Sequence, residues 1–366
     1  MKFGFYAFLL LGLGLGQFSY GQTDKPAIST LAADKLKPIG RYAYNDRKEL
    51  ELISSAVHFG FSFKGQQCDI YASIPNPTEH NYLQYVLDEV YQKRIRISGN
   101  SSEPVIIKAT GPGMHHVWIY KATEAQTGPI MISKIVGDHI KPLPIPKAPL
   151  IEFIGNSITC GAAADASEFP CGTGQYHDQH NAYMAYGPRV ARTLGVNFIL
   201  SSVSGIGIYR NWNTDGPTMP QVYEKVGLWE PDKRMWDFKT YNPKIVSIAL
   251  GTNDFSGGDG KTPRKPFDAD AFTNTYIKFV ELVKSKYPKA RIALLSSPMV
   301  KGQNAAVLEK CLTAVKNKID AEYPVDKPIE TFFFKPMEGR GCGGHPSVED
   351  HQIMAEEVAP FFKKLL

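Results

Sequence analysis

Three short segments carry side chains that together could break an ester. Ser157 follows an apolar, strand-like run in Gly155-Asn156-Ser157-Ile158-Thr159. Asn253 follows another in Gly251-Thr252-Asn253-Asp254, and His345 stands before Pro346 near the C-terminus. A serine hydroxyl is a weak nucleophile at neutral pH. It needs a base within hydrogen-bond reach and donors aimed at the oxyanion formed on attack. His345 is the candidate base. His351 competes for that role but falls inside the last predicted helix. The Asn253 amide can donate to the oxyanion, as can the N–H of Ser157 itself. The turn Ser204-Gly205-Ile206-Gly207 supplies a further donor, because glycine lets a backbone N–H approach a ligand without a Cβ in the way. Gly205 is the expected donor there and Gly207 the second choice. Asp254 is expected as an Asx-type turn residue, with binding of the loop backbone as the alternative.

These residues need a scaffold that brings them together. After Pro149, apolar runs at 150–154, 197–203, 245–250, 292–296 and 330–334 read as buried parallel strands. Helix-length segments at 181–194, 271–286, 304–323 and 347–364 alternate with them. That alternation predicts βαβ units and a three-layer α/β/α domain with a parallel sheet. Ligands of such sheets collect at the carboxyl ends of the strands. Ser157, the Ser204 turn and Asn253 all fall there. Pro346, with Glu349 and Asp350 in the next turn, predicts the start of the last helix and sets His345 against the same strand ends.

From about Leu36 to Val136 the rhythm has period two. Val57, Phe59, Phe61 and Phe63 alternate with smaller or polar residues, and Cys68, Ile70, Ala72 and Ile74 repeat the pattern. Further runs at 82–86, 94–97, 105–108, 117–120 and 130–136 predict an antiparallel β-sandwich. The proline-rich stretch 141–149 reads as a strap between the two parts. The expected organisation is a signal peptide at 1–21, a β-sandwich at 22–148 and a catalytic α/β domain at 149–366.

Composition narrows the function classes. In 366 residues, 43% are hydrophobic and 21% charged, the pattern of a globular chain. The formal charge is +5, but no Lys/Arg-rich run stands out, so nucleic acid is not an expected partner. Residues 1–21 combine Lys2, a short apolar core and small residues before a cut near Gly21, the layout of a secretory leader. The expected location is secreted or periplasmic, with no membrane association after cleavage. Five cysteines permit disulfides and leave at least one thiol free. Cys160 and Cys171 bracket the loop after Ser157 and form the expected pair. Their spacing fits no zinc pattern, and neither a calcium loop nor a dinucleotide fingerprint is complete, so no metal or cofactor is expected.

The ordered set Gly155–Thr159, the Gly205 turn, Gly251–Asp254 and the terminal His345 resembles the four blocks of SGNH (GDSL-type) hydrolases. The preceding domain, with IGRYAYNDRKELEL leading into AVHFGFSFKG, resembles the jelly roll fused to that fold in carbohydrate esterase family 2. The resemblance implies hydrolysis of O-acetyl esters on plant polysaccharides such as xylan or glucomannan. Asn156 departs from the Asp common in the first block. The acid usual three residues before the base is here Cys342. Members of the family often work as Ser-His dyads, which implies that a backbone carbonyl orients His345. Glu349 or Asp350 is the alternative partner. Trp212 and Tyr209, aromatics after the Gly205 turn, are the candidate sugar-binding residues. The competing readings are a lipase or thioesterase of the same fold, and a glycan-binding module with little catalysis.

Overall fold

The computed structural model describes Met1 and residues 27–99 and 101–366. The expected leader at 1–21 lies outside the described residues, apart from Met1.

The N-terminal part is an antiparallel sheet of ten strands built on two long ones, His58–Ser73 and Ile130–Pro142. The two predicted runs 57–63 and 68–74 are one continuous strand. Its partner absorbs the change of direction through register shifts between Ile132 and Lys134 and between Gly137 and Lys141. Alternation sends Phe59, Phe61, Phe63, Ile70, Val117 and Ile119 into one apolar core. The opposite face is not left to solvent. His58 stacks on Phe198 of the other domain at 4.8 Å, and Tyr120 and Val86 join a core shared with Phe153, Phe198 and Tyr183. The second domain buries His58 and the strap residue Leu143 lies over Gly60 beside Trp118, so that every residue from His58 to Phe63 is buried despite the alternating pattern.

The C-terminal part is a five-stranded parallel sheet. Its order is Asn197–Ser202, Leu150–Gly155, Ile245–Ala249, Arg291–Leu295 and Glu330–Phe332. Successive residues feed opposite faces. Phe153, Ile245 and Ala293 pack with helices Tyr186–Leu194 and Val348–Leu365, whereas Ile154, Val246 and Leu294 pack with Ala269–Lys286 and Gly302–Glu322. Both faces are covered, as an all-parallel sheet requires.

Two helix starts differ from expectation. The predicted helix from Asn181 is broken into a 3₁₀ turn at Ala182–Met184 and a helix from Tyr186. Pro188 has no N–H to donate back to residue 184, so regular helix cannot run through Ala185. The last helix begins at Val348, not Pro346. Ser347 caps it, its hydroxyl accepting from Asp350 N–H while the Asp350 carboxylate accepts from Ser347 N–H. That reciprocal capping box satisfies donors that a proline start would leave to water.

Candidate active site

Ser157 is the first residue of a single helical turn, Ser157–Cys160, at the end of the Leu150–Gly155 strand. Asn156 caps that turn, its side-chain oxygen accepting from Ile158 N–H at 3.1 Å. Asn156 does the work of a capping acid without a charge. Gly155 must be glycine, because a Cβ there would lie 2.0 Å from Thr159 Oγ1.

The sequence places Ser157 and His345 far apart, and the fold brings them within reach. The Ser157 hydroxyl donates to His345 Nε2 at 3.1 Å. On the far side of the ring, Nδ1–H donates to the Cys342 carbonyl at 3.2 Å. A backbone carbonyl thus occupies the place of the missing acid. The alternative partners are engaged elsewhere. Asp350 accepts from Arg340, and Glu349 accepts from the Ser347 hydroxyl. Burial lowers the proton affinity of His345; the Cys342 carbonyl and Glu124 act against that shift, and His180 adds to it. The ring therefore sits below the ordinary histidine range. His351 is fully buried, accepts from Tyr186 N–H and is pushed down to about 3, chiefly by burial.

Cys342 is itself anchored. It forms a disulfide with Cys171, and its N–H donates to the Ala163 carbonyl at 2.8 Å. This corrects the expected Cys160–Cys171 pair. Cys160 lies in the Ser157 turn with its thiol buried against the Ser202 hydroxyl and Glu124 carboxylate, unable to reach the loop that carries Cys171.

The turn after the Asn197–Ser202 strand faces the same strand ends. Gly205 has φ +75°, the left-handed region that favours glycine. Its N–H has no partner among the described residues, whereas its carbonyl accepts from Trp212 N–H at 2.7 Å. Asn253, on the short helix Thr252–Phe255, donates one amide hydrogen to the Ile206 carbonyl at 2.7 Å and keeps the second. Asp254 is not an Asx-turn residue: its buried carboxylate accepts from the N–H groups of Ile208, Tyr209 and Arg210. Burial raises its pKa to about 6, against the pull of those backbone donors.

Trp212, about half exposed, lines a cavity of about 430 Å³ together with Gly205, Gln126 and Trp229. Tyr209 lies apart from it. Its ring packs against Phe267 and Phe272, and its hydroxyl accepts from Asp268 N–H at 3.0 Å.

Two neighbours escaped the sequence reading. Tyr176 sets its ring edge-on to His180 and 6.3 Å from His345, with its hydroxyl 3.5 Å from Ser204 Oγ. Glu124, from the β-sandwich, is buried against Ser204 and His180. No local signal in Lys121-Ala122-Thr123-Glu124 could have flagged it, since its partners come from the other domain.

A Ser-His pair at the end of one parallel strand, with the Gly205 turn and Asn253 following the two strands beside it, is the arrangement of an ester hydrolase of the SGNH kind. Residues 38–146 match the family described as Carbohydrate esterase 2 N-terminal, and residues 153–323 match the GDSL-like Lipase/Acylhydrolase family. An acetylxylan esterase / glucomannan deacetylase of Cellvibrio japonicus (strain Ueda107) is 30% identical over 308 residues, covering 82% of this chain and 81% of the relative. A family two carbohydrate esterase from Clostridium thermocellum, solved in complex with cellohexaose, is similar with a TM-score of 0.76 and 26% identity, over 92% of this chain and 98% of that one. A Corynascus carbohydrate esterase family 2 enzyme with a carbohydrate binding domain gives 0.72 and 29%, over 90% and 99%. The chain belongs to carbohydrate esterase family 2.

Proposed function

We propose that this protein is an exported serine esterase that removes O-acetyl groups from plant polysaccharides of the xylan or glucomannan type. The observation that carries the reading is the Ser157–His345 hydrogen bond at the strand ends, backed by the Cys342 carbonyl on the second ring nitrogen. Neutral at physiological pH, His345 takes the hydroxyl proton as Ser157 Oγ attacks the acetyl carbonyl carbon. The N–H groups of Ser157 and Gly205 and the spare Asn253 hydrogen hold the oxyanion. Collapse expels the sugar oxygen, which takes the proton back from His345. Water, deprotonated by the same ring, then attacks the acetyl-serine and frees acetate. Each step is a proton transfer or an acyl transfer, for which these side chains suffice.

The relatives' names support the acetylated-polysaccharide class, and the half-exposed Trp212 beside Gly205 offers a ring face for a sugar. The Cys171–Cys342 disulfide supports an oxidising compartment, in line with the leader read at 1–21. Among the described residues no helix is long and apolar enough to cross a membrane. We take 22–148 as the accessory β-sandwich and 149–366 as the catalytic unit. The test is acetate release from acetylated xylan and glucomannan, compared with release of long-chain acids from lipid esters. Acetate from the polymers, lost in Ser157→Ala, supports the reading. Preference for long acyl chains would contradict it, and polysaccharide binding without hydrolysis would leave a binding module.

A further inference from the structure

Glu124 is a fully buried carboxylate that the scheme above does not use. It comes from the β-sandwich, yet all its carboxylate contacts lie in the α/β domain. One oxygen, Oε2, accepts from Ser204 N–H at 2.6 Å and faces the Cys160 thiol at 3.6 Å. The other, Oε1, accepts from His180 Nε2–H at 3.1 Å. The Glu124 backbone carbonyl is held by the Lys121 ammonium. His180 Nδ1 accepts from Ala163 N–H at 3.3 Å, which fixes the tautomer and leaves the proton on Nε2. Ala163 is also the residue whose carbonyl holds Cys342 N–H.

We propose that Glu124 is a positioning residue for the oxyanion site, a carboxylate supplied by the β-sandwich that aims the Ser204–Gly205 turn at Ser157. This rests on the esterase reading and deepens it. Ser204 and Gly205 present successive peptide N–H groups. Committing the first to Glu124 fixes the peptide plane from which the second N–H is set, and Gly205 N–H has no internal partner among the described residues. Asn253 fixes the carbonyl of the next residue, and Asp254 fixes the N–H groups beyond. Among the described residues, Glu124 is the hydrogen-bonded anchor of this turn that comes from outside the catalytic domain. The same carboxylate reaches the turn that carries Ser157, through Cys160, and the loop that carries His345, through His180 and Ala163.

The chemistry requires an acceptor at both oxygens. Glutamine offers one acceptor and one NH₂, so it must turn N–H against N–H at either Ser204 or His180. Burial by itself raises the Glu124 pKa. The hydrogen bonds from His180 and Ser204 outweigh it and hold the group ionised, below the usual carboxylate range.

The test compares wild type, Glu124→Gln and Glu124→Asp by kcat and KM on a small aryl acetate, by thermal midpoint, and by amide exchange across residues 203–206. In folded Glu124→Gln the expected result is a fall in kcat of about 10²-fold with KM within about threefold, the size of losing one oxyanion donor. Exchange at Ser204, whose N–H loses its acceptor, should rise at least about tenfold. Glu124→Asp keeps the charge but is one methylene short, so it should recover part of kcat. Unchanged kcat and unchanged exchange in a folded Gln variant would overturn the proposal. Joint collapse of kcat, KM and thermal midpoint in both variants would also overturn it, leaving Glu124 a folding residue. Amide exchange needs no turnover. An inactive wild type would therefore sink the esterase reading, while exchange alone still decided whether Glu124 holds the turn.

Discussion

His345 is held by a carbonyl where a triad would place a carboxylate, and the difference has a measurable consequence. A carboxylate would raise the proton affinity of the ring; burial here lowers it, and the Cys342 carbonyl offsets only part of that. A base must be neutral to work, so activity rises with pH through the pKa of the free ring. The kcat/KM profile should have its acid midpoint below the usual histidine value, and a midpoint above it would contradict the assignment. Asn253 offers a second test at this scale. It fixes the Ile206 carbonyl with one hydrogen and is read as an oxyanion donor with the other. Asn253→Ala should lower kcat by about 10²–10³-fold with little change in KM. A mutant that loses only KM would place the residue in substrate binding.

The disulfide between Cys171 and Cys342 works at the scale of the loops. It ties the segment after Ser157 to the segment before His345, across 171 residues of sequence, and Cys342 carries the carbonyl that aims the ring. Removing a native disulfide costs about 2–5 kcal/mol. Cys171→Ser should lower the thermal midpoint and also reduce kcat more than KM. A loss of stability with kcat intact would show that the carbonyl holds its place unaided. This element also marks where the sequence stopped being legible. The strands around Ser157, Gly205 and Asn253 could be read because each is an apolar run ending in a polar or glycine turn. The pairing of Cys171 could not, because proximity in sequence favoured Cys160, and only packing reveals that Cys160 is buried inward. The Ser347-Asp350 cap was in principle readable, since its spacing is that of a capping box; the proline beside it drew the boundary two residues early.

At the scale of the whole molecule, the two domains share buried surface instead of meeting at a hinge. Arg41 of the β-sandwich inserts fully into the α/β domain. It donates to the Ser201 hydroxyl and to the carbonyls of Tyr223 and Lys225, with Glu152 3.7 Å away and Trp236 against its guanidinium. Glu152 lies within the Leu150–Gly155 strand, where burial raises its pKa against the pull of Arg41. Removing one partner of such a pair leaves an uncompensated buried charge, at a cost of about 3–5 kcal/mol. Arg41→Ala should therefore lower unfolding stability by that amount in a denaturant titration. A change under about 1 kcal/mol would show that Glu152 takes up a proton and needs no partner. Both domain classes were legible from periodicity alone, because period two and buried apolar runs are local signals. The docking was not. Arg41, Glu124 and His58 look like ordinary polar residues until the second domain covers them.

The central claim is that Ser157 is the nucleophile and His345 its base. The most direct measurement is labelling with a fluorophosphonate, followed by peptide mass mapping. The account predicts a single adduct on Ser157, formed rapidly in the wild type and slowed by about 10³-fold or more in folded His345→Ala. An active protein labelled on another residue, or a His345→Ala variant labelled as fast as wild type, would contradict it.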